Sequence, residues 1–163
     1  MTNYLLSIDP SIKNTGFTLW ENKRPILVTS YSFKNYKGKR SFYWAIKAGN
    51  DELNLIIERG TFHSKNGIGY ETQEHLRGFI AGQFNKLLTK NMLISPSSWK
   101  KWYRSQSFIN ILINDEWDKE SSIRLAKVLL IEQNNWNITI SNHDEADSLL
   151  IGWYYLNKEN KNE

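Results

Sequence analysis

Four acidic side chains lie far apart in this sequence yet share one kind of local setting. Asp9 ends the apolar run Tyr4-Leu5-Leu6-Ser7-Ile8, and Glu58 ends a second, Leu53-Asn54-Leu55-Ile56-Ile57. Asp144 and Asp147 open a third apolar stretch, from Leu149 to Leu156. A carboxylate at the carboxyl end of a buried strand stands at the rim of a sheet, where open α/β folds gather their ligands. Two carboxylates three residues apart at a helix start share one face and can address the same rim. Four such groups repel one another unless cations neutralise them, and hard oxygen ligands suit Mg²⁺ or Mn²⁺. The chemistry implied is metal-dependent and directed at phosphates.

Each acid also has a plainer explanation. Asp9 before Pro10 fits an ordinary turn, and Glu58 fits an exposed strand end. Asp144 fits a helix N-cap, while Asp147 lies in the first turn, where the helix dipole alone favours an acid. Either explanation covers one residue and does not require both. Glu145 is expected to point away into solvent. His143 either caps or packs, or it stands beside the metals as a ligand or proton carrier.

The elements that must position these residues are legible as patterns. Strands are predicted over Tyr4–Ile8, Gly16–Trp20 and Ile26–Phe33, with turns over Pro10–Asn14 and Glu21–Pro25. A short helix around Ser41–Ala48 precedes the buried strand Leu53–Ile57. Leu76, Phe79, Ile80, Phe84, Leu87 and Leu88 recur at helical spacing, which predicts a long helix from Glu71 to Leu88. A strand over Met92–Ser95 stops at Pro96, and Ser97-Ser98 can cap the helix that follows. A helix over Ser121–Glu132 aligns Ile123, Ala126, Lys127 and Leu130. A strand over Ile138–Ile140 and a closing helix over Asp144–Leu156 complete the chain. This order predicts an α/β fold, a mixed sheet with helices on both faces. The expected division is one domain over residues 1–156 and a polar tail over residues 157–163.

Composition narrows the function classes. At 163 residues a single domain buries roughly 70% of its unfolded surface. There is no cysteine, which excludes disulfides, thiol nucleophiles and cysteine-based zinc sites, and fits a reducing compartment. Met1-Thr2-Asn3 carries no basic region and the apolar run behind it is short, so neither a signal peptide nor a membrane span is read. The expected location is the cytoplasm. The net charge is +4, but residues 1–50 hold eight Lys/Arg against two acids. Lys34, Lys37, Lys39 and Arg40 interleave with Phe33, Tyr36, Phe42, Tyr43 and Trp44. Such a segment either neutralises phosphates and stacks on bases or is a solvated loop.

The motifs resemble those of the RuvC-type Holliday-junction resolvases of the ribonuclease H-like superfamily. Ile8-Asp9-Pro10-Ser11-Ile12-Lys13-Asn14-Thr15-Gly16 is similar to that family's Asp-Pro-Gly to Thr-Gly opening. Ile56-Ile57-Glu58, followed by Phe62, Lys65 and Asn66, resembles its Ile-Glu strand end and the Phe…Lys-Asn loop. His143-Asp144-Glu145-Ala146-Asp147-Ser148-Leu149 resembles its closing Asp-x-Ala-Asp-Ala helix. Order and spacing agree over nearly the whole chain. Ser11 and Ser148 depart from the family's glycine and alanine, the loop after Glu58 is one residue longer, and residues 105–118 do not align. These departures resemble the phage-encoded branch of the family.

The resemblance implies a five-stranded ribonuclease H-like sheet and an endodeoxyribonuclease that resolves four-way and related branched DNA junctions by paired hydrolytic nicks. It implies two Mg²⁺ ions per active site, replaceable by Mn²⁺, held by Asp9, Glu58, Asp144 and Asp147. Lys100 and Lys119 become candidates for contacting the scissile phosphate or the leaving group, whereas Lys101 fits a solvated face. Lys13, Lys37, Lys39, Arg40, Phe62, Lys65 and Asn66 become DNA-binding candidates, with Phe62 either a wedge at the junction centre or a core residue. A homodimer is implied, because a four-way junction has two-fold symmetry. Gly78, Ala81 and Gly82 offer a close helix contact for it, unless that helix is buried within the monomer. Neither a membrane nor a small-molecule cofactor is implied, and the protein is either cellular or phage-encoded and active in a bacterial host's cytoplasm. Alternatives sharing the residues are a nuclease acting on flaps or RNA–DNA hybrids and a non-catalytic junction-binding protein. An actin-like phosphotransferase, which also opens with Asp and Thr-Gly, needs a second lobe for which this chain is too short.

Overall fold

A computed structural model describes residues 3–32, 53–60, 67–106, 109, 117–135 and 137–158, with side chains omitted at 67–69. Five strands form one mixed sheet in the order β3-β2-β1-β4-β5. They are β1 (Tyr4–Asp9), β2 (Thr15–Glu21), β3 (Arg24–Tyr31), β4 (Asn54–Glu58) and β5 (Leu93–Ile94). β2 runs antiparallel to both β1 and β3, whereas β4 runs parallel to β1 and β5 parallel to β4. The helices described are α1 (Gly67–Gln83), α2 (Pro96–Arg104), α3 (Lys119–Glu132) and α4 (His143–Asn157). None of them is long and apolar enough to cross a membrane.

The expected mixed α/β sheet with helices on both faces is present. Strand alternation makes the two faces. Leu6, Ile8, Phe17, Leu55 and Ile57 pack with Leu76, Ile80 and Ala81 of α1 and with Phe84 just after it on one side. Leu5, Trp20 and Ile56 pack with α2, α3 and α4 on the other. Successive side chains of a strand point to opposite faces, so each strand feeds both cores. The β2–β3 hairpin closes on Asn22 and Lys23 with φ 48° and 68°. Positive φ at both central residues marks the two-residue turn whose twist matches the strands.

Local chemistry sets the helix ends. Pro96 occupies the first turn of α2 and Ser95 is the cap residue, where a missing N–H costs nothing. Asp118 caps α3 by accepting from the Ser121 N–H at 2.6 Å. α1 ends where Asn85 takes φ 54° and the Lys86 N–H reaches the Ala81 carbonyl at 3.0 Å, a left-handed stop that asparagine tolerates.

Several expectations are corrected. Residues 138–140 form no strand; Ile140 instead fills the α3–α4 core as irregular chain. α1 stops at Gln83, short of Leu88. Ser95, not Ser97 or Ser98, precedes α2. On α3 Ala126 and Leu130 are buried as expected, together with Ser121, Ser122, Leu125 and Leu129, whereas Ile123 is half-buried and Lys127 exposed. α4 continues through Asn157, the first residue assigned to the tail. Ala81 is fully buried, so it belongs to the core and not to a surface contact; Gly78 and Gly82 face open space. The helix expected over Ser41–Ala48 lies outside the described residues.

Candidate active site

Strand parity aims two of the four acids. Leu5 and Ser7 of β1 face α4, Ser7 Oγ donating to the Ser148 carbonyl at 2.7 Å, and the same alternation sends Asp9 to that side. In β4, Ile56 and Glu58 face the α2 side, since Trp99 Nε1 donates to Glu58 Oε1 at 2.8 Å. β1 and β4 pair in parallel with Ser7 opposite Ile56 and Ile8 opposite Ile57. The next step along that register sets Asp9 beside Glu58 at the carboxyl ends of both strands.

The other two acids arrive on α4. Asn142, not Asp144, caps this helix, its Oδ1 accepting from the Glu145 N–H at 3.0 Å. Asp144 is thereby released from the capping role, and Asn14 Nδ2 donates to its Oδ2 at 2.9 Å. Gly16 lets the helix come this close. A Cβ there would run into the backbone carbonyl of Asp144. Farther along, Gly152 packs against the Trp20 indole and Ser7 Oγ in the same way. A buried polar seam fastens the two elements, with Thr18 Oγ1 and Ser148 Oγ at 2.8 Å and Trp20 Nε1 donating to Ser7 Oγ at 2.8 Å. The turn after Asp9 is closed by Thr15, whose Oγ1 donates to the Ser11 carbonyl at 2.6 Å and accepts from the Ser11 N–H at 3.1 Å.

Burial and mutual repulsion act together on this cluster. Asp9 is held well above the usual carboxylate range, first by burial and then by the charges of Glu58, Asp147 and Asp144. Glu58 is also raised by burial, against the opposing pull of the Trp99 hydrogen bond and of Lys100. Asp147 is raised by burial and restrained by the Ser122 hydroxyl, Lys100 and His143. Among the neighbouring charges, that of Glu58 acts most strongly on Asp9. His143 Nε2 stands 3.4 Å from Asp144 Oδ1.

These residues suit a hard divalent cation. The donors are carboxylate oxygens, and Asp147 Oδ1 is buried with no hydrogen-bond partner, an atom that otherwise loses its solvation without return. Among the described residues no three such side chains already stand as a formed ion cage.

The structure thus brings Asp9, Glu58, Asp144 and Asp147 together, with Lys100 acting on Glu58 and Asp147. Lys119 is exposed at the start of α3, and Lys13 is exposed in the β1–β2 turn. Lys37, Lys39, Arg40, Phe62, Lys65 and Asn66 lie outside the described residues. Glu145 corrects its expectation: it is buried, its Oε1 accepting from Ser30 Oγ at 2.9 Å and its Oε2 from the Ser141 N–H at 2.7 Å. Three site neighbours escaped the sequence reading. Asn14 sits inside the first motif, and Trp99 directly precedes Lys100. Arg77 is 2% exposed and its Nε donates to the Glu58 carbonyl at 2.7 Å. Its signal was a cation between Leu76 and Ile80 on the helix face that packs on the sheet.

No protein-family model matches the chain and no curated protein matches it. Among solved structures it is similar to Thermus thermophilus RuvC in complex with a Holliday junction substrate, with a TM-score of 0.59 at 10% identity over 97% of this chain and 96% of that one. It is also similar to a Thermus thermophilus RuvC structure, with a TM-score of 0.51 at 13% identity over 94% and 95% of the respective chains. With its sheet order, helices and acid-lined strand ends, the chain has the RuvC-like form of the ribonuclease H-like α/β fold.

Proposed function

We propose that this protein is a divalent-metal-dependent endodeoxyribonuclease that resolves four-way DNA junctions by paired nicks. The observation that carries this reading is the convergence of Asp9, Glu58, Asp144 and Asp147 on one side of the sheet at the ends of β1 and β4. The whole-length likeness to a RuvC seen with a Holliday junction supports the substrate class. Intact acids argue against a non-catalytic binder, since clustered negative charge opposes phosphate unless cations intervene.

Asp9, Glu58, Asp144 and Asp147 would hold two Mg²⁺ ions, with Mn²⁺ as a substitute. Such a pair, when bound, activates water and stabilises the leaving oxygen of an in-line displacement. The chain supplies the rest. Asn14 fixes Asp144, and the turn closed by Thr15 presents Asp9. Lys100, drawn toward Glu58 and Asp147, offers its ammonium to a non-bridging phosphate oxygen or the leaving group, with Lys119 as a second cation at the start of α3. His143, beside Asp144, is placed to carry a proton.

DNA binding beyond the reacting phosphate is assigned to Lys13, Lys37, Lys39, Arg40, Lys65 and Asn66, with Phe62 at the crossover. The active form is a homodimer joined through the exposed face of α1 at Gly78 and Gly82. The departures at Ser11 and Ser148 support a place near the phage-encoded branch, with action in a host cytoplasm. Cutting assays on a four-way junction, a flap, linear duplex and an RNA–DNA hybrid test the reading. Paired Mg²⁺-dependent cuts on the junction are expected; preference for the flap or the hybrid overturns it.

A further inference from the structure

Behind Glu58 lies an aromatic cluster that the proposed chemistry does not use. Trp99 is fully buried, and its ring is boxed edge-on by Trp117 at 5.1 Å and 89° and by Tyr103 at 6.2 Å and 86°. Tyr103 is itself pinned, its hydroxyl donating to the Leu150 carbonyl at 2.9 Å. The indole therefore has one orientation. In that orientation its Nε1–H meets Glu58 Oε1 at 2.8 Å, and the Lys100 ammonium lies 5.0 Å from its ring centroid. The same ammonium is 5.9 Å from the Trp117 ring.

We infer that Trp99 is a positioning residue of this site, orienting Glu58 through its indole N–H and Lys100 through its ring face. A buried N–H aimed at one carboxylate oxygen fixes the carboxylate plane and leaves the other oxygen for a cation. The ring's negative face attracts the ammonium and keeps it from collapsing onto Glu58, so cation and carboxylate are held as separate tools. Trp117 extends the device: its Nε1 donates to Ser122 Oγ at 2.9 Å, and the Ser122 hydroxyl is among the groups that restrain the rise of Asp147. Two touching indoles thus serve two carboxylates, Trp99 directly and Trp117 by way of Ser122. Phenylalanine at 99 would keep the packing and lose the donor.

This inference rests on Glu58 and Lys100 being site residues, so the test separates that premise from the role of Trp99. Mn²⁺ binding to the full chain is measured by electron paramagnetic resonance for the wild type, Trp99→Phe and Glu58→Ala. Outer partners of metal ligands typically govern 10–100-fold in affinity or activity; a Mn²⁺ affinity about 10–100-fold weaker is therefore expected for Trp99→Phe, and kcat should fall similarly with the junction KM unchanged. In ¹H–¹⁵N spectra, the assigned Trp99 indole resonance should shift with Mg²⁺ in the wild type and shift again in Glu58→Ala. This second measurement needs no variant at position 99, so it decides the matter should Trp99→Phe not fold. Wild-type protein that takes up no Mn²⁺ overturns the metal reading alone. An indole resonance indifferent to both Glu58→Ala and Mg²⁺, or unchanged Mn²⁺ affinity in folded Trp99→Phe, overturns the positioning role.

Discussion

The α-carbon of Gly16 lies directly against the backbone carbonyl of Asp144, so the start of β2 and the first turn of α4 touch with no side chain between them. This contact sets how far the acids of α4 stand from those of the strands. Gly16→Ala should therefore act on stability and activity together. Forcing a methyl into a packed contact costs roughly 1–3 kcal/mol, which lowers Tm by about 2–12 °C in a domain of this size. Thermal unfolding and junction cleavage on the same preparation check it; an unchanged Tm would show that α4 can retreat freely.

Asp9→Asn should abolish cleavage while leaving junction binding intact or tighter, because it removes a ligand charge that also repels phosphate. Near-normal cleavage by the purified variant would remove Asp9 from the site.

The same residue makes a pH prediction for metal-free protein. Burial and three neighbouring acids raise folded Asp9 well above its ordinary value of 3.8. In the window between those two values the folded chain keeps a proton that the unfolded chain has lost. The stability that Asp9 contributes is therefore fully present below the ordinary value and is lost as pH rises through the folded one. In EDTA, the wild-type Tm should decline with rising pH, and Asp9→Asn should decline less and be the more stable at neutral pH. Parallel Tm–pH curves for the two proteins would contradict this.

Gly78 and Gly82 face open space, so Gly82→Glu should leave the protomer folded. An exposed helix interior gains roughly 0.5–1 kcal/mol when a side-chain-bearing residue such as alanine replaces glycine. If α1 joins two copies, the variant should sediment as a monomer with Tm equal or higher and should lose paired cutting of a plasmid-borne cruciform. A Gly82→Glu protein that remains a dimer places the interface elsewhere.

Replacing Lys37, Lys39 and Arg40 by alanine should weaken binding across DNA sequences alike. Each lost phosphate contact reduces the slope of log affinity against log salt by about 0.9, so the triple variant should lose up to about 2.7. An unchanged slope would identify that segment as a solvated loop.

Much of the site was legible in the sequence because strand ends and helix spacing follow local rules. The apolar runs ending at Asp9 and Glu58 put both acids at strand ends before any partner was known, and the spacing of Asp144 and Asp147 put them on one side of a helix; that Asp9 and Glu58 share a face came from the β1–β4 register. Only the tertiary structure decided the rest, because it depends on contacts between segments far apart in the chain. Asn142 took the capping role and freed Asp144 for Asn14, 130 residues away. Glu145, read as solvated, was buried by Ser30 of β3, and Ala81 joined the core although Gly78 and Gly82 on the same helix did not. Residues 138–140 have a strand's composition but pair with no strand of the described sheet. Arg77 and Trp99 carry no motif at all. Their importance comes from burial beside Glu58, where a donor held away from water is worth far more than the same donor on a surface.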